Sequence, residues 1–115
     1  MLNEPYHPLI AQLVPPMITH KSEAVVACFT DQAIVKDEER EHRGLTAIKA
    51  LIEDTFQNYQ FNVEVLEVTG GGDEISFNGR VSGTFDGSPI ELRHQITVRH
   101  GKISSLVIEP APVRE

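Results

Sequence analysis

Two side chains in this sequence have the type and placement for proton chemistry. Asp37 follows Ala33 and Val35 at two-residue spacing, the period at which a strand returns side chains to one face. A carboxylate on an apolar face is poorly solvated, so its pKa rises and it can act as a base. His94 lies between Leu92 and Ile96 in the same alternation. An imidazole there needs a partner, because burying an unpaired polar group costs roughly 1–3 kcal/mol. The partner is either a protein group or a ligand. Each residue also has a plainer counterpart. Asp37, followed by Glu38 and Glu39, reads equally as a solvated strand end, and His94 as a satisfied core histidine.

The remaining candidates read mostly as structure. His42 sits in the segment Glu41-His42-Arg43-Gly44, a loop that rims a pocket or simply faces water. His7, His20 and His100 read as surface residues. The histidines do not recur at i, i+3 or i, i+4 on a helix, and the single cysteine, Cys28, cannot build a thiolate site. Local spacing thus supports no zinc site, and no metal or cofactor is expected. Gly70-Gly71-Gly72 runs into Asp73, Glu74 and a strand; a phosphate loop would open a helix instead. Cys28 falls on a buried helical stripe. Tyr6 and Tyr59 are possible pocket hydroxyls, although Tyr59 fits the apolar stripe of its helix as well.

The elements that must position these groups fall into two halves. Leu9, Ile10, Leu13, Val14, Met17 and Ile18 recur at helical spacing, with Pro8 suited to the first turn. Pro15-Pro16 should kink this helix or restart it as a second one. Ser22 is placed to cap a helix over Glu23 to Phe29. A short extended piece, Asp31 to Asp37, and a polar loop, Glu38 to Arg43, precede the clearest helix, where Leu45, Ile48, Leu51, Ile52, Thr55, Phe56 and Tyr59 repeat at three and four residues. From Phe61 the period becomes two. Strands are expected over Phe61 to Val65, Ile75 to Phe85, Ile90 to Val98 and Ile103 to Pro110, with turns at Asp86-Gly87 and His100-Gly101. Helices followed by hairpin-linked strands predict an α+β domain with helices packed on one face of an antiparallel sheet. Gly79 and Gly83, alone within a strand, are where that sheet could bend or bulge.

Bulk properties narrow the function. The 115 residues suit one domain, 1–115, and the 40% hydrophobic content suits a globular core. A net charge of −7 repels phosphate backbones, which argues against nucleic-acid binding. No stretch approaches ~18 consecutive apolar residues, so no membrane span is expected. A lone cysteine, and an N-terminus without a basic and apolar leader, point to a cytoplasmic location by elimination.

Several of these segments resemble the nuclear transport factor 2-like superfamily, which includes SnoaL-like polyketide cyclases, ketosteroid isomerases, limonene epoxide hydrolases and scytalone dehydratase. The resemblance lies in Phe29-Thr30-Asp31-Gln32-Ala33-Ile34-Val35-Lys36-Asp37, in Gly44 with Ala47-Ile48, and in Leu92-Arg93-His94-Gln95-Ile96-Thr97-Val98 with Gly101-Lys102-Ile103, Leu106, Ile108 and Pro110. It covers about residues 8 to 110 and implies a cone-shaped fold, its N-terminal helices packed on a curved antiparallel sheet around an apolar small-molecule pocket. Set against ketosteroid isomerase, it places the general base at Asp37. The tyrosine donor of that enzyme falls at about Leu13, which cannot donate, and its protonated aspartate at about His94. A base position is kept, one donor is lost and one is changed.

Three uses of such a domain are compatible with these residues. One is acid–base catalysis of isomerase, cyclase, dehydratase or hydrolase type on a small hydrophobic substrate, with Asp37 as base and His94 as acid or electrostatic partner. Another is binding of a small hydrophobic molecule without turnover. The third is a protein-interaction dimer. If the domain is an enzyme, Asp37 and His94 should converge on a cavity lined by Val35, Ile48, Ile52, Phe56, Phe77, Val81 and Ile96. A homodimer is expected through the polar outer face of the sheet, where Glu91 and Arg93 could pair across a two-fold axis. The first ~20 residues, weakened by Pro15-Pro16, are expected to form a mobile lid.

Overall fold

A computed structural model describes residues 8–111. In chain order the elements are α1 (Pro8–Thr19), α2 (Ser22–Val26), β1 (Phe29–Asp37), β2 (Arg40–Arg43), α3 (Gly44–Asn58), β3 (Phe61–Gly71), β4 (Glu74–Gly83), β5 (Ile90–Arg99) and β6 (Lys102–Pro110). The strands form one sheet in the order β2-β1-β6-β5-β4-β3. The fold is α+β: the three helices cover the concave face of this curved, open sheet. Tyr6 and His7 lie outside the described residues.

Most strand pairs are antiparallel hairpins, as the period-two segments and their turns predict. The exception is β1, which lies parallel to β6. It arises because the chain leaves β1 through a short hairpin, crosses α3 and returns only at the C-terminal end. The expected polar loop after Asp37 is instead the edge strand β2, with Asp37 paired to Arg40. Glu38 and Glu39 form the turn between them, with φ of 55° and 65°. Two successive residues at positive φ are the type I′ geometry that matches strand twist, here built without the usual asparagine or glycine.

Two helical expectations change. α1 runs through Pro15 and Pro16 without restarting. The prolines remove amide donors there, but Leu9, Ile10, Leu13 and Val14 are buried on the preceding turns, and that packing holds the segment as one helix. α2 stops at Val26 rather than Phe29, which opens β1. Ser22 lies inside the helix, preceded by Lys21 without a side-chain cap. Its hydroxyl donates to Glu53 on α3 at 3.3 Å.

The pairing registers stack inward-facing residues into rows across the sheet, because directly paired residues share a face. One row is Val35, Leu106, Ile96 and Ile75. The next is Asp37, Ile108, His94, Phe77 and Val68. Beyond it come Pro110, Leu92, Gly79 and Val65, then Ile90, Val81 and Val63. The predicted irregularity falls opposite Gly79: β3 shifts register between Val65 and Glu67. Gly83 has a different reason to lack a side chain, since a Cβ there would run into the Gln60 carbonyl.

Candidate functional site

The row that crosses the middle of the concave face carries both predicted groups. Asp37 on β1 and His94 on β5 each pair with Ile108 on β6. They therefore share one face and flank one isoleucine, separated by two inter-strand steps, or about 10 Å between Cα atoms. His94 is fully inside, at 2% exposure, while Asp37 and Ile108 are half-buried.

His94 is held by stacking. Its ring lies parallel to that of Phe77, its cross-strand partner, with centroids 4.4 Å apart and planes 2° apart. Its Nδ1 is buried without a hydrogen-bond partner. The histidine is thus a core residue satisfied only in part, through backbone hydrogen bonds with Leu92 and Phe77. Burial pushes the imidazole down to about 4, and backbone groups of Leu92 and Phe77 oppose this only in part. Near neutral pH the ring is uncharged, with one nitrogen donating and the other accepting. Gly79 packs against the edge of this ring: a Cβ there would lie 3.7 Å from His94 Cε1 and 3.3 Å from Val63 Cγ1.

Asp37 is set the other way. Burial raises its carboxyl pKa, Glu38 raises it further, and His42 lowers it. A half-buried carboxylate whose proton affinity is raised is what a general base requires. His42 pairs with Val35, which puts it on the concave face beside Asp37. The sequence left His42 in a loop because Arg40-Glu41-His42-Arg43 lacks apolar alternation.

The residues expected to line a cavity divide into two sets. Val35, Ile48, Phe77 and Ile96 are buried in the core; Ile52, Phe56 and Val81 are partly buried against it. Ile108, Val65 and Leu92, not singled out beforehand, join the second set on the concave face. Alternation already put Leu92 on the face of His94; cross-strand register adds Ile108 and Val65 beside it. His20, expected at the surface, is half-buried and stacks on Phe56 at 4.4 Å. Cys28 is buried, as expected. Its Sγ donates to the Ala24 carbonyl at 3.6 Å, and burial raises its pKa against the opposing charge of Lys102.

Two cavities lie elsewhere. An open groove of about 500 Å³ runs between α1 and α2, bordered by Pro15, Pro16, Ala24 and Ala27. A slot of about 190 Å³ borders Glu67, Thr69, Asn78 and Arg93 on the outer face of the sheet. On that face Arg93 approaches Glu109 at 3.7 Å and Arg80 approaches Glu91 at 3.7 Å. Both residues expected to pair across a two-fold axis thus have partners within the chain. Among the described residues no group of three or more His, Cys, Asp or Glu could hold a metal ion, and no helix is long and apolar enough to cross a membrane.

Helices packed against a curved, open, mostly antiparallel sheet define the nuclear transport factor 2-like cone. Within that class the chain belongs to the SnoaL-like domain family, whose domain matches residues 13–106. Its structure is similar to that of a candidate polyketide cyclase from Sinorhizobium meliloti, with TM-score 0.85 and 28% identity over 90% of this chain and 94% of that one. It is also similar to a ketosteroid isomerase-like protein from Catenulispora acidiphila, crystallised with trimethylamine (TM-score 0.81, 14% identity, 95% of this chain and 88% of that one). A computationally designed 17-OHP binder has the same fold (TM-score 0.78, 15% identity, 90% and 88% covered). No curated protein matches the chain.

Proposed function

We propose that this SnoaL-like protein binds a small hydrophobic molecule over Ile108 and moves a proton on it, with Asp37 as base. One observation carries this reading: Asp37 and the unpartnered Nδ1 of His94 lie on one face, in one row, either side of a half-exposed isoleucine. The substrate would be largely apolar, to match Ile108, Leu92, Val65, Val81, Ile52 and Phe56. It would carry one polar atom to meet Nδ1. His94 acts here as a neutral hydrogen-bonding and electrostatic partner rather than as an imidazolium acid, because burial disfavours its charged form near neutral pH. The fold's capacity for such ligands is supported by its relatives, one crystallised with trimethylamine and one designed to bind 17-OHP. Binding without turnover is the second reading, favoured by Ile108, which keeps the two groups from touching directly. A homodimer through the outer face of the sheet, in the cytoplasm, completes the proposal.

Proton abstraction from 5-nitrobenzisoxazole, an apolar carbon acid that needs only a base, tests the catalytic reading. The unsubstituted protein should accelerate ring opening, and Asp37→Asn should reduce that rate roughly 10²–10⁴-fold with little change in volume. His94→Gln should lower turnover more than it lowers Tm. Equal rates for the unsubstituted and Asp37→Asn proteins would remove catalysis and leave binding.

A further inference from the structure

We propose that His42 is a positioning residue for Asp37, set beside it by the β1–β2 hairpin so that its charge keeps the carboxyl ready to accept a proton. The placement follows from register. Asp37 opposes Arg40 and Val35 opposes His42, so Asp37 and His42 are diagonal neighbours on one face, roughly 7–8 Å apart with their Cβ atoms somewhat closer. That distance leaves room for a water or a substrate atom between them. Both are half-buried, in contrast to the solvated ends of most hairpins. The turn joining their strands holds Glu38 and Glu39 at φ of 55° and 65°, a conformation that costs an ordinary residue roughly 1–2 kcal/mol. A longer loop would avoid this cost, but would also release the register that brings His42 to Asp37.

Few other groups compete for the role. Arg40 shares the face but is exposed. Lys36 and Glu41 pair with each other on the outer face, where Arg43 binds Glu41 at 2.9 Å and Arg93 approaches Glu109 at 3.7 Å. On α3, which packs on both strands, Glu53 accepts from Ser22 and Asp54 from Asn58; Lys49 is half-buried. His94 lies beyond Ile108 and is uncharged near neutral pH. Glu38 and His42 act on the Asp37 carboxyl with opposite sign.

This inference rests on the proposed function only for the use to which the proton is put. Its test needs no ligand, so the two can fail separately. The Asp37 side-chain carboxyl would be followed by carbon-detected NMR across pH. His42→Gln should move the carboxyl titration to higher pH, Glu38→Gln to lower pH, and His42→Lys, which restores a positive charge, should return it toward the original value. The acid limb of 5-nitrobenzisoxazole turnover should follow the same order. Identical Asp37 titrations in the unsubstituted and His42→Gln proteins would overturn the proposal. Equal shifts from His42→Gln and His42→Lys would overturn it too, as packing rather than charge. The Glu38→Gln and His42→Lys variants are read separately, so one variant that fails to fold does not protect the idea.

Discussion

The two ends of the concave face are built from the same residue types and packed to different degrees. At the end nearest the β5–β6 turn, Phe29, Val35, Ile75, Ile96, Ile103 and Leu106 are all buried, and Ile48 of α3 closes over them. Past the row of Asp37 and His94, Val63 is still buried, but the inward residues Leu92, Val65 and Val81 are only half-buried and Ile90 is 37% exposed. The helices thus cover one end of the cone more completely than the other. Asp37 and His94 stand on the boundary, Asp37 half-buried and His94 fully inside. Alternation along a strand shows which face is apolar; it does not show where along that face packing stops.

The largest test of this contrast is mechanical. Phe77→Ala at the boundary should cost about 3–5 kcal/mol and Ile103→Ala at the sealed end about 2–5 kcal/mol, because neither site can collapse. Val81→Ala at the open end should cost less than about 1 kcal/mol. Chemical denaturation measures all three. Equal costs at both ends would mean that the cone is sealed throughout, with no room for a ligand.

A smaller effect concerns pH, where the two boundary groups should pull in opposite directions. His94 has a folded pKa of about 4 against an ordinary 6.5. Between these values the unfolded chain binds more protons, so stability falls as pH drops from about 6.5 to 4, by an amount on the order of 3 kcal/mol. Asp37 has a raised folded pKa, so the folded state holds its proton more tightly. Its contribution is present below the ordinary carboxylate pKa and is lost as pH rises through the folded value. His94→Gln should flatten the first slope. Asp37→Asn should make the protein slightly more stable at pH 7 while removing its base, the pattern of a residue kept for something other than folding.

Much of this architecture was legible from local pattern. α3 and the strands that follow it are visible because their apolar periods are clean and their turns carry glycine. The missed parts are those that local pattern does not encode. β2 is a charged edge strand, Arg40-Glu41-His42-Arg43, of the kind that protects a sheet edge from further pairing. Its turn uses Glu38-Glu39, which carries none of the usual I′ chemistry. The parallel β1–β6 pairing joins segments about seventy residues apart in sequence, a tertiary choice that no local signal announces. Asp37 and His94 were each readable from their neighbours. That Ile108 lies between them, and that His42 stands beside Asp37, follows only from that long-range register.

In the proposed function, the row of Asp37, Ile108 and His94 receives an apolar molecule bearing one polar group. Methyl and imidazole NMR during titration with 2-naphthol, a fused apolar ring with a single hydroxyl, tests it most directly. The account predicts shifts at the methyl groups of Ile108, Leu92, Val65 and Val81 and at the ring of His94, with affinity lost in His94→Phe, which keeps the stack on Phe77 but removes the nitrogens. Shifts confined to Ala24 and Ala27 in the groove between α1 and α2, with the concave face silent, would contradict it.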